Sequence, residues 1–293
     1  KYGAPIYVRH EIVHSRHVVN SLRHKGAVFV EELNEVPEGS VVIFSAHGVA
    51  KSVWEEAQSR RLHVIDATCP LVIKVHNEVN RDYTQGYELI LIGHAGHPEV
   101  IGTLGQIPDK FHLVSSVKDV ESLHVEKTQN LSYVTQTTLS VDECRDIVEA
   151  LHRRFPNIKG PHQEDICYAT QNRQNAVKSL SKLVDVILVI GSPNSSNSNR
   201  LRELGEHCGI PSYLIDAASD INPDWLKDAK SVGLSAGASA PEVLVTEVVA
   251  YLKRLGSSEE VEELTVIEED VEFLLPKELV TIESASRVSA SAN

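Results

Sequence analysis

Two cysteines lie at points where a strand-like segment changes into a helix-like one. Cys69 follows "VIDAT" and directly precedes Pro70, a residue favoured in the first helical turn, so it is expected at or beside an N-cap. Cys167, in "DICYATQNRQNAV", also precedes a helical pattern. Backbone N–H groups at a helix N-terminus favour a thiolate, which is both a nucleophile and a metal ligand. At matching points of the chain, the two cysteines together predict a metal site.

The kind of metal stays open at this stage. Zinc needs four ligands, or three and a water, whereas iron–sulfur clusters are held by thiolates. A cluster held by three cysteines would leave one iron for a substrate oxygen, but only two cysteines are suitably placed. The other two, Cys144 and Cys208, share helical faces with apolar residues and are predicted to lie in the core.

Acid–base groups follow two other strand-like segments. Glu99, in "GHAGHPEV", is a carboxylate among strand-end residues, and Thr137 and Thr138 in "TQTTLS" bring hydroxyls. A carboxylic acid near a metal-bound oxygen is a natural proton donor. The alternative is that Glu99 only places a favourable negative charge in the first turn of a helix.

Neutral hydrogen-bond donors collect at further strand ends and helix starts. They are His14, His47, His97, the run from Ser195 to Asn199, and Ser239. Helix N-termini attract phosphate, although Ser and Asn are also ordinary N-caps. Because neither a Walker motif nor GxGxxG is present, a phosphate or diphosphate fits better than a nucleotide.

These groups follow apolar runs that alternate with amphipathic stretches. The runs lie in "VVIFSAHGVA", "HVIDATCP", "LILIGHAGHPEV", "LSYVTQTTLS", "VILVIGSPNSSNSN" and "VGLSAGASAPEV". The alternation predicts an α/β fold of three similar parallel-sheet units, whose strand ends converge on a shared centre. The expected boundaries are 1–69, 70–162, 163–255 and an acidic tail, 256–293, in which "VEFLLPKELV" resembles a strand and the last residues look disordered.

Composition narrows the class of protein. The chain has 293 residues and a net charge of −13, which argues against nucleic-acid or anionic-membrane binding. Four cysteines without paired spacing favour a reducing, cytoplasmic setting. Because the chain lacks methionine and opens on "KYGAPIYVRH", Lys1 is interpreted as an internal point of a longer protein.

The ordered motifs resemble one family, the LytB-type 4-hydroxy-3-methylbut-2-enyl diphosphate reductases. The motifs are "RHEIVHS", "FSAHGV", "DATCPLV", "IGHAGHPEV", "TQTTLS", "DICYATQNRQ", "GSPNSSNSNRL" and "SAGASAPE". The resemblance implies a pseudo-threefold trefoil around a [4Fe–4S] cluster. The reaction it implies is reductive dehydroxylation to isopentenyl and dimethylallyl diphosphate, the last step of the non-mevalonate (MEP) isoprenoid pathway, with electrons from a ferredoxin or flavodoxin.

The resemblance also implies roles for individual residues. Cys69 and Cys167 would be cluster ligands, and Glu99 and Thr137 would handle protons. The substrate contacts would be His14, His47, His97, Thr138, Ser195, Ser196, Asn197 and Ser239. Family members carry a further cluster cysteine after an N-terminal strand, which is absent from this sequence, so the chain as given is expected to be inactive alone.

Two alternatives remain from other classes. "HPE" matches half of the zinc deaminase signature, but the PCxxC half is absent. The other alternative is a non-catalytic phosphometabolite-binding protein without a cluster. Metal and sulfide analysis would separate both from the reductase.

Overall fold

Three separate parallel sheets organise the chain. The structure, a computed structural model, describes residues 2–108, 111–256, 260–276 and 279. Within these residues the first sheet has four strands in the order β2-β1-β3-β4. Its strands are β1 (Ile6–Arg9), β2 (Ala27–Val30), β3 (Val41–Phe44) and β4 (His63–Asp66). Every strand pair in this sheet is parallel.

The other two sheets repeat a three-stranded plan with the first strand in the middle. The second sheet has the order β6-β5-β7 and the third has the order β10-β8-β9. Their strands are β5 (Glu88–Ile92), β6 (Phe111–Val114), β7 (Leu131–Thr135), β8 (Val186–Ile190), β9 (Ser212–Ile215) and β10 (Val232–Ala236). The predicted α/β class with three parallel sheets is confirmed, and all six apolar runs singled out in the sequence form strands.

Helices connect the parallel strands, as parallel pairing requires. They are α1 (Arg16–His24), α2 (Lys51–Ser59), α3 (Pro70–Thr84), α4 (Pro98–Leu104), α5 (Val117–Ser122), α6 (Val141–Arg154), α7 (Tyr168–Leu180), α8 (Ser196–His207) and α9 (Glu242–Arg254). Helix α3 packs against β5 and β7, and α8 packs against β8, β9 and α7. The unit boundaries at 69/70 and 162/163 stay a prediction.

The central strands of the second and third sheets are apolar on both faces because these two sheets are covered on both sides. In β5, Leu89 and Leu91 face one core cluster while Ile90 and Ile92 face another. In β8 the same alternation divides its apolar residues between two clusters. Since side chains alternate between faces along a strand, a continuous apolar run indicates burial on both sides. The polar residues that follow such strands are therefore left at the carboxyl edge of each sheet.

Two predictions about the cysteines and the tail were wrong. Cys144 lies in a core cluster as predicted, but Cys208 is exposed because α8 ends at His207 and Cys208 is its C-cap. Residues 271–276 of the predicted tail strand form no strand. The rest of that segment and the final residues, apart from Leu279, lie outside the described residues. Where the tail touches the body, Glu269 accepts a hydrogen bond from Asn172 on α7 at 3.0 Å.

Helix length and polarity determine whether a helix could cross a membrane. None of the helices in the described part of the chain is both long enough and apolar enough to span a bilayer.

Candidate active site

Cys69 and Cys167 occupy equivalent positions as the N-caps of α3 and α7. Their backbone angles are almost identical, with φ/ψ of −56°/132° and −57°/132°. The Cys69 N–H donates to the Ala46 carbonyl at 3.0 Å, and the Cys167 N–H donates to the Thr137 carbonyl at 2.9 Å. Each thiol is thereby tied to the end of a neighbouring strand. The prediction that Pro70 opens a helix with Cys69 at its N-cap is confirmed.

The thiolate expected at Cys69 is opposed by burial. Burial raises the pKa of the Cys69 thiol above its ordinary value, although the N–H groups of Leu71 and Val72 act in the opposite direction. The charge of Cys167 raises the pKa of Cys69 further, so the two thiols interact electrostatically. The helix N-terminus is therefore not sufficient to ionise Cys69, and a bound cation would supply the missing stabilisation.

Glu99 and Thr137 form a buried pair between α4 and the end of β7. Only 3% of Glu99 is exposed. Its Oε1 accepts the Thr137 N–H at 2.6 Å, and its Oε2 accepts the Thr137 hydroxyl at 3.1 Å. Burial raises the pKa of Glu99 to about 7, against the lowering effect of the Thr137 hydrogen bonds. Glu99 is therefore an acid that holds or releases a proton near neutral pH, as a general acid must.

Three histidines from two units form one cluster. His14 follows β1, His47 follows β3, and His97 is the N-cap of α4 after β5. The ring centroids of His14 and His47 lie 4.3 Å apart, and His97 lies 5.7 and 5.8 Å from them. Gly48 turns the chain after His47 with φ +78°, where a Cβ would lie 2.7 Å from Cε1 of His76.

Two of the three rings are arranged as neutral donors or acceptors rather than as cations. Burial, followed by the charges of neighbouring histidines, lowers the pKa of His47 to about 3 and that of His97 to about 4. Both rings are therefore uncharged at neutral pH. Among the described residues, Nε2 of His14 is buried and has no hydrogen-bond partner. Such a group needs a polar ligand, because burial without a partner costs about 1–3 kcal/mol.

The third unit contributes the first turn of α8. Ser195 is the N-cap, and its Oγ accepts the Ser198 N–H at 3.3 Å and the Ser198 hydroxyl at 3.0 Å. Asn197 is only 5% exposed. In the part of the chain that the structure describes, both side-chain polar atoms of Asn197 and the Ser196 hydroxyl are buried without partners. This turn thus presents unpaired donors and an open N-terminus, a combination suited to an anion.

Two glycines allow α8 to approach the strand ends this closely. A Cβ on Gly191, after β8, would lie 2.1 Å from the Ser198 Oγ, and one on Gly237, after β10, would lie 2.2 Å from it. Ser198 is fully buried between them. Close packing of the helix start against two strands therefore excludes any larger residue at either position.

Replacing Gly191 by alanine should destabilise the fold by about 1–3 kcal/mol, the usual cost of overpacking a filled site. Denaturant unfolding measures the change. In a double-mutant cycle with Ser198→Gly, which removes the clashing side chain, the two substitutions should couple favourably. Simple additivity would contradict the close contact between Gly191 and Ser198.

Contacts between units join these groups into one site. The Ser239 hydroxyl donates to the His14 carbonyl at 3.3 Å, which joins the third unit to the first. Arg200 on α8 donates to Nε2 of His94 at 3.2 Å, which joins the third unit to the second. The strand ends of all three units therefore meet at a common centre. The roles predicted from sequence for the site residues are still predictions. The structure does bring Glu99 into contact with Thr137, and it brings the three histidines into one cluster.

Thr138 is held by a residue that sequence reasoning missed. Gln136 is 1% exposed; its Nε2 donates to the Thr138 Oγ1 at 2.8 Å, and its Oε1 accepts the His94 N–H at 3.1 Å. Gln136 lies inside the "TQTT" motif, and its position directly after β7 could have identified it as a site residue. Gln136 orients two strand ends of the second unit toward the site.

The donor set at the shared centre matches part of the cluster that the sequence resemblance implies. Cys69 and Cys167 are both free thiols, and both cap helices at the shared centre. Among the described residues, no group of three His, Cys, Asp or Glu is arranged to hold a metal ion. The described residues thus fit as two thiolate ligands of a larger group.

Comparison with known proteins identifies the family. The LytB protein family model matches residues 1–253. The 4-hydroxy-3-methylbut-2-enyl diphosphate reductase 2 of Bradyrhizobium diazoefficiens is 61% identical over 95% of this chain and 90% of its own length. The corresponding reductase of Aromatoleum aromaticum is 60% identical over 96% of this chain and 90% of its own length.

Solved structures agree with this assignment. The E-1-hydroxy-2-methyl-but-2-enyl-4-diphosphate reductase from Plasmodium falciparum superposes with a TM-score of 0.91 at 37% identity, covering 97% of this chain and 89% of that one. A structure of (E)-4-hydroxy-3-methyl-but-2-enyl diphosphate reductase matches 87% of this chain and 90% of that one, with a TM-score of 0.61 at 32% identity. The resemblance recognised in the motifs is confirmed: the chain belongs to the LytB protein family.

Proposed function

We propose that this chain carries the substrate site of a 4-hydroxy-3-methylbut-2-enyl diphosphate reductase, the enzyme that ends the non-mevalonate (MEP) isoprenoid pathway. The reaction replaces the allylic hydroxyl by hydrogen. It consumes two electrons and two protons and releases water, giving isopentenyl or dimethylallyl diphosphate. Family membership supports the assignment. The observation that carries it is a buried carboxyl with a pKa of about 7 that shares a site with unpaired anion-binding groups.

Cys69 and Cys167 would hold a [4Fe–4S] cluster as two of its ligands. When bound, the cluster supplies the electrons for the reduction, and a ferredoxin or flavodoxin would replenish them. The support from this chain is chemical: two free thiols cap helix N-termini and are near enough to interact electrostatically, and iron–sulfur clusters prefer thiolate ligands.

The diphosphate would bind between the first turn of α8 and the histidine cluster. Asn197 and Ser196 offer buried polar atoms that lack partners in the described structure, and Ser195 holds the turn that presents them. His14, His47, His97, Thr138 and Ser239 would complete the polar wall. Neutral donors bind a diphosphate without a fixed positive charge, and the helix N-terminus adds its own partial charge.

Glu99 would deliver a proton to the departing hydroxyl through or beside Thr137. The Thr137 N–H and hydroxyl hold both carboxyl oxygens, so the acid has a fixed orientation. In its protonated form Glu99 can donate to the Thr137 oxygen while the threonine hydroxyl donates onward. A positioned acid of this kind contributes typically about 10²–10⁴-fold to rate.

The deaminase alternative finds less support in the geometry. Nδ1 of His97 accepts the Glu99 N–H at 3.2 Å and so serves as a helix cap. The Glu99 carboxyl is occupied by Thr137. The non-catalytic alternative leaves the raised pKa of Glu99 without a purpose.

The direct test is turnover. A full-length protein that contains this sequence, reconstituted with iron and sulfide without oxygen, would be supplied with the substrate and a chemical reductant. We expect isopentenyl and dimethylallyl diphosphate as products, identified by chromatography. Diphosphate binding without any product from protein with a full cluster would favour the non-catalytic alternative, and zinc without sulfide in the isolated protein would favour the deaminase.

Removing the amide of Asn197 should weaken substrate binding. Loss of hydrogen bonds to a charged group costs about 1.5–3 kcal/mol, so Asn197→Ala should raise the dissociation constant roughly 10–100-fold. Calorimetric titration with the diphosphate substrate measures it. Asn20→Ala, which changes an exposed amide on α1, is the matched control and should bind like the parent. Equal affinity of the two variants would remove Asn197 from the anion site.

A further inference from the structure

Lys74 joins the two segments that carry the cysteines. It lies on α3, the helix capped by Cys69, and its Nζ donates to three acceptors next to Cys167. These acceptors are the Gln163 carbonyl at 2.7 Å, the Glu164 carbonyl at 3.0 Å and the Asp165 Oδ1 at 3.1 Å. The three donors of an ammonium group are thus all used on one short segment.

Asp165 extends this connection to the acid–base side of the site. Its side chain is fully buried, and its Oδ2 accepts the Thr135 N–H at the end of β7 at 2.9 Å. Two residues beyond the end of β7, the Thr137 carbonyl accepts the Cys167 N–H. The segment from 163 to 167 is therefore held at two points, one on α3 and one on the strand end that leads to Thr137.

We propose that Lys74 and Asp165 are positioning residues that set the spacing between the thiols of Cys69 and Cys167. The inference rests on the proposed function, since it takes these thiols as ligands of one group. Neither residue touches the reacting atoms. Their effect is to fix the N-terminal ends of α3 and α7 relative to each other before any ligand binds.

The contacts of Lys74 with the segment from 163 to 165 depend on the shape of the lysine head group. Three acceptors from consecutive residues converge on one nitrogen, which suits a compact ammonium better than the planar fork of arginine. Sequence reasoning gives no signal for it, because the partners are separated by 91 residues.

A matched ion pair is available as a control. Lys159 pairs with Asp82, also on α3, at 2.6 Å. Lys159 and Lys74 have the same side-chain exposure, 25%, and both acidic partners are buried. Asp82 lies toward the far end of α3 from Cys69 and also pairs with Arg81 at 3.2 Å. Replacing Lys159 therefore breaks an ion pair on the same helix without changing the thiol-bearing segments.

The experiment uses Cd²⁺ alone as a probe of the thiol pair, in the full chain without a cluster. The exposed Cys208 is replaced by serine in every variant to remove its thiol. Binding is followed by the sulfur-to-cadmium charge-transfer absorption, which requires bound thiolates. Cys69→Ser and Cys167→Ser should each abolish the two-thiolate signal. Lys74→Met should weaken Cd²⁺ binding roughly 10–100-fold, the usual loss when a group that positions metal ligands is removed.

The double variant Lys74→Met/Asp165→Asn separates spacing from stability. It removes both charges of the pair together, and the carboxamide introduced at position 165 keeps a neutral oxygen that can accept the Thr135 N–H. The protein should therefore fold, yet Cd²⁺ binding should stay weak. Lys159→Met should bind within about threefold of the parent.

Three results would overturn the proposal. They are a double variant that binds Cd²⁺ like the parent, a Lys159→Met variant that loses as much affinity as Lys74→Met, and a signal that survives in either serine variant. Absent turnover in a cluster-loaded, full-length protein that contains this sequence would instead contradict the proposed function.

Discussion

Replacing either Cys69 or Cys167 by serine should remove the proposed iron–sulfur cluster and abolish measurable turnover of the full-length protein. Each cysteine caps a helix at the shared centre, and the described residues offer no third group beside them that completes a metal site. A cluster that loses one of its thiolates loses a large part of its binding free energy. Iron and sulfide content per chain and the visible absorption of the reconstituted protein measure the loss.

The chain contains a matched control for this prediction. Cys144 lies in the core of the second unit, where burial raises the pKa of its thiol to about 12. A thiol of this kind remains protonated and is a poor ligand. Cys144→Ala should therefore keep its iron and its turnover at a modest cost in stability. Iron content that falls in the Cys144 variant but not in the Cys167 variant would show that the ligands are assigned to the wrong thiols.

Local sequence signals predicted the strand ends of the site well. Apolar runs predict the buried strands. The polar residues directly after these runs must then lie at the carboxyl edge of each sheet. His47, Cys69 and Glu99 were found in this way. The convergence of three such edges was predicted from the number of polar strand ends taken together and not from any one run, because no local pattern states how separate sheets face each other.

Pairing between distant residues could not be predicted. Lys74 and Asp165 have no local feature that distinguishes them from other charged residues, and their contact exists only after α3 packs on β7. Cys208 shows the opposite difficulty: its helical spacing was correct, but the helix ends one residue before it. The ionisation of Cys69 was also misjudged, since burial depends on the assembled fold while the helix N-terminus is visible in the sequence.

Glu99→Gln should lower turnover by about 10²–10⁴-fold while leaving diphosphate binding nearly unchanged. Glutamine keeps the size of the side chain and its carbonyl can still accept the Thr137 N–H, but it cannot deliver a proton. Turnover and dissociation constant are measured on the same cluster-loaded protein. Glu88→Gln is the matched control. Glu88 is also buried, at 2% exposure, but lies at the opposite end of β5, where it accepts the Lys127 N–H at 2.8 Å. It should cost stability without a comparable loss of turnover.

The pH dependence of stability and turnover gives a second, independent test of the role of Glu99. Burial raises the pKa of Glu99 from 4.5 to about 7, so the folded protein holds this proton more tightly than the unfolded chain does. The resulting stabilisation, on the order of 3 kcal/mol, is fully present below pH 4.5 and is lost as pH rises through 7. As pH rises between those values, the parent should therefore lose stability whereas Glu99→Gln should not. The stability of the variant relative to the parent should increase accordingly. Turnover of the parent should fall as pH rises above 7, because the proton-donating form disappears, whereas the residual turnover of the variant should lack that step. A variant that stays within a few-fold of the parent, or that keeps the same pH profile, would remove Glu99 from proton delivery.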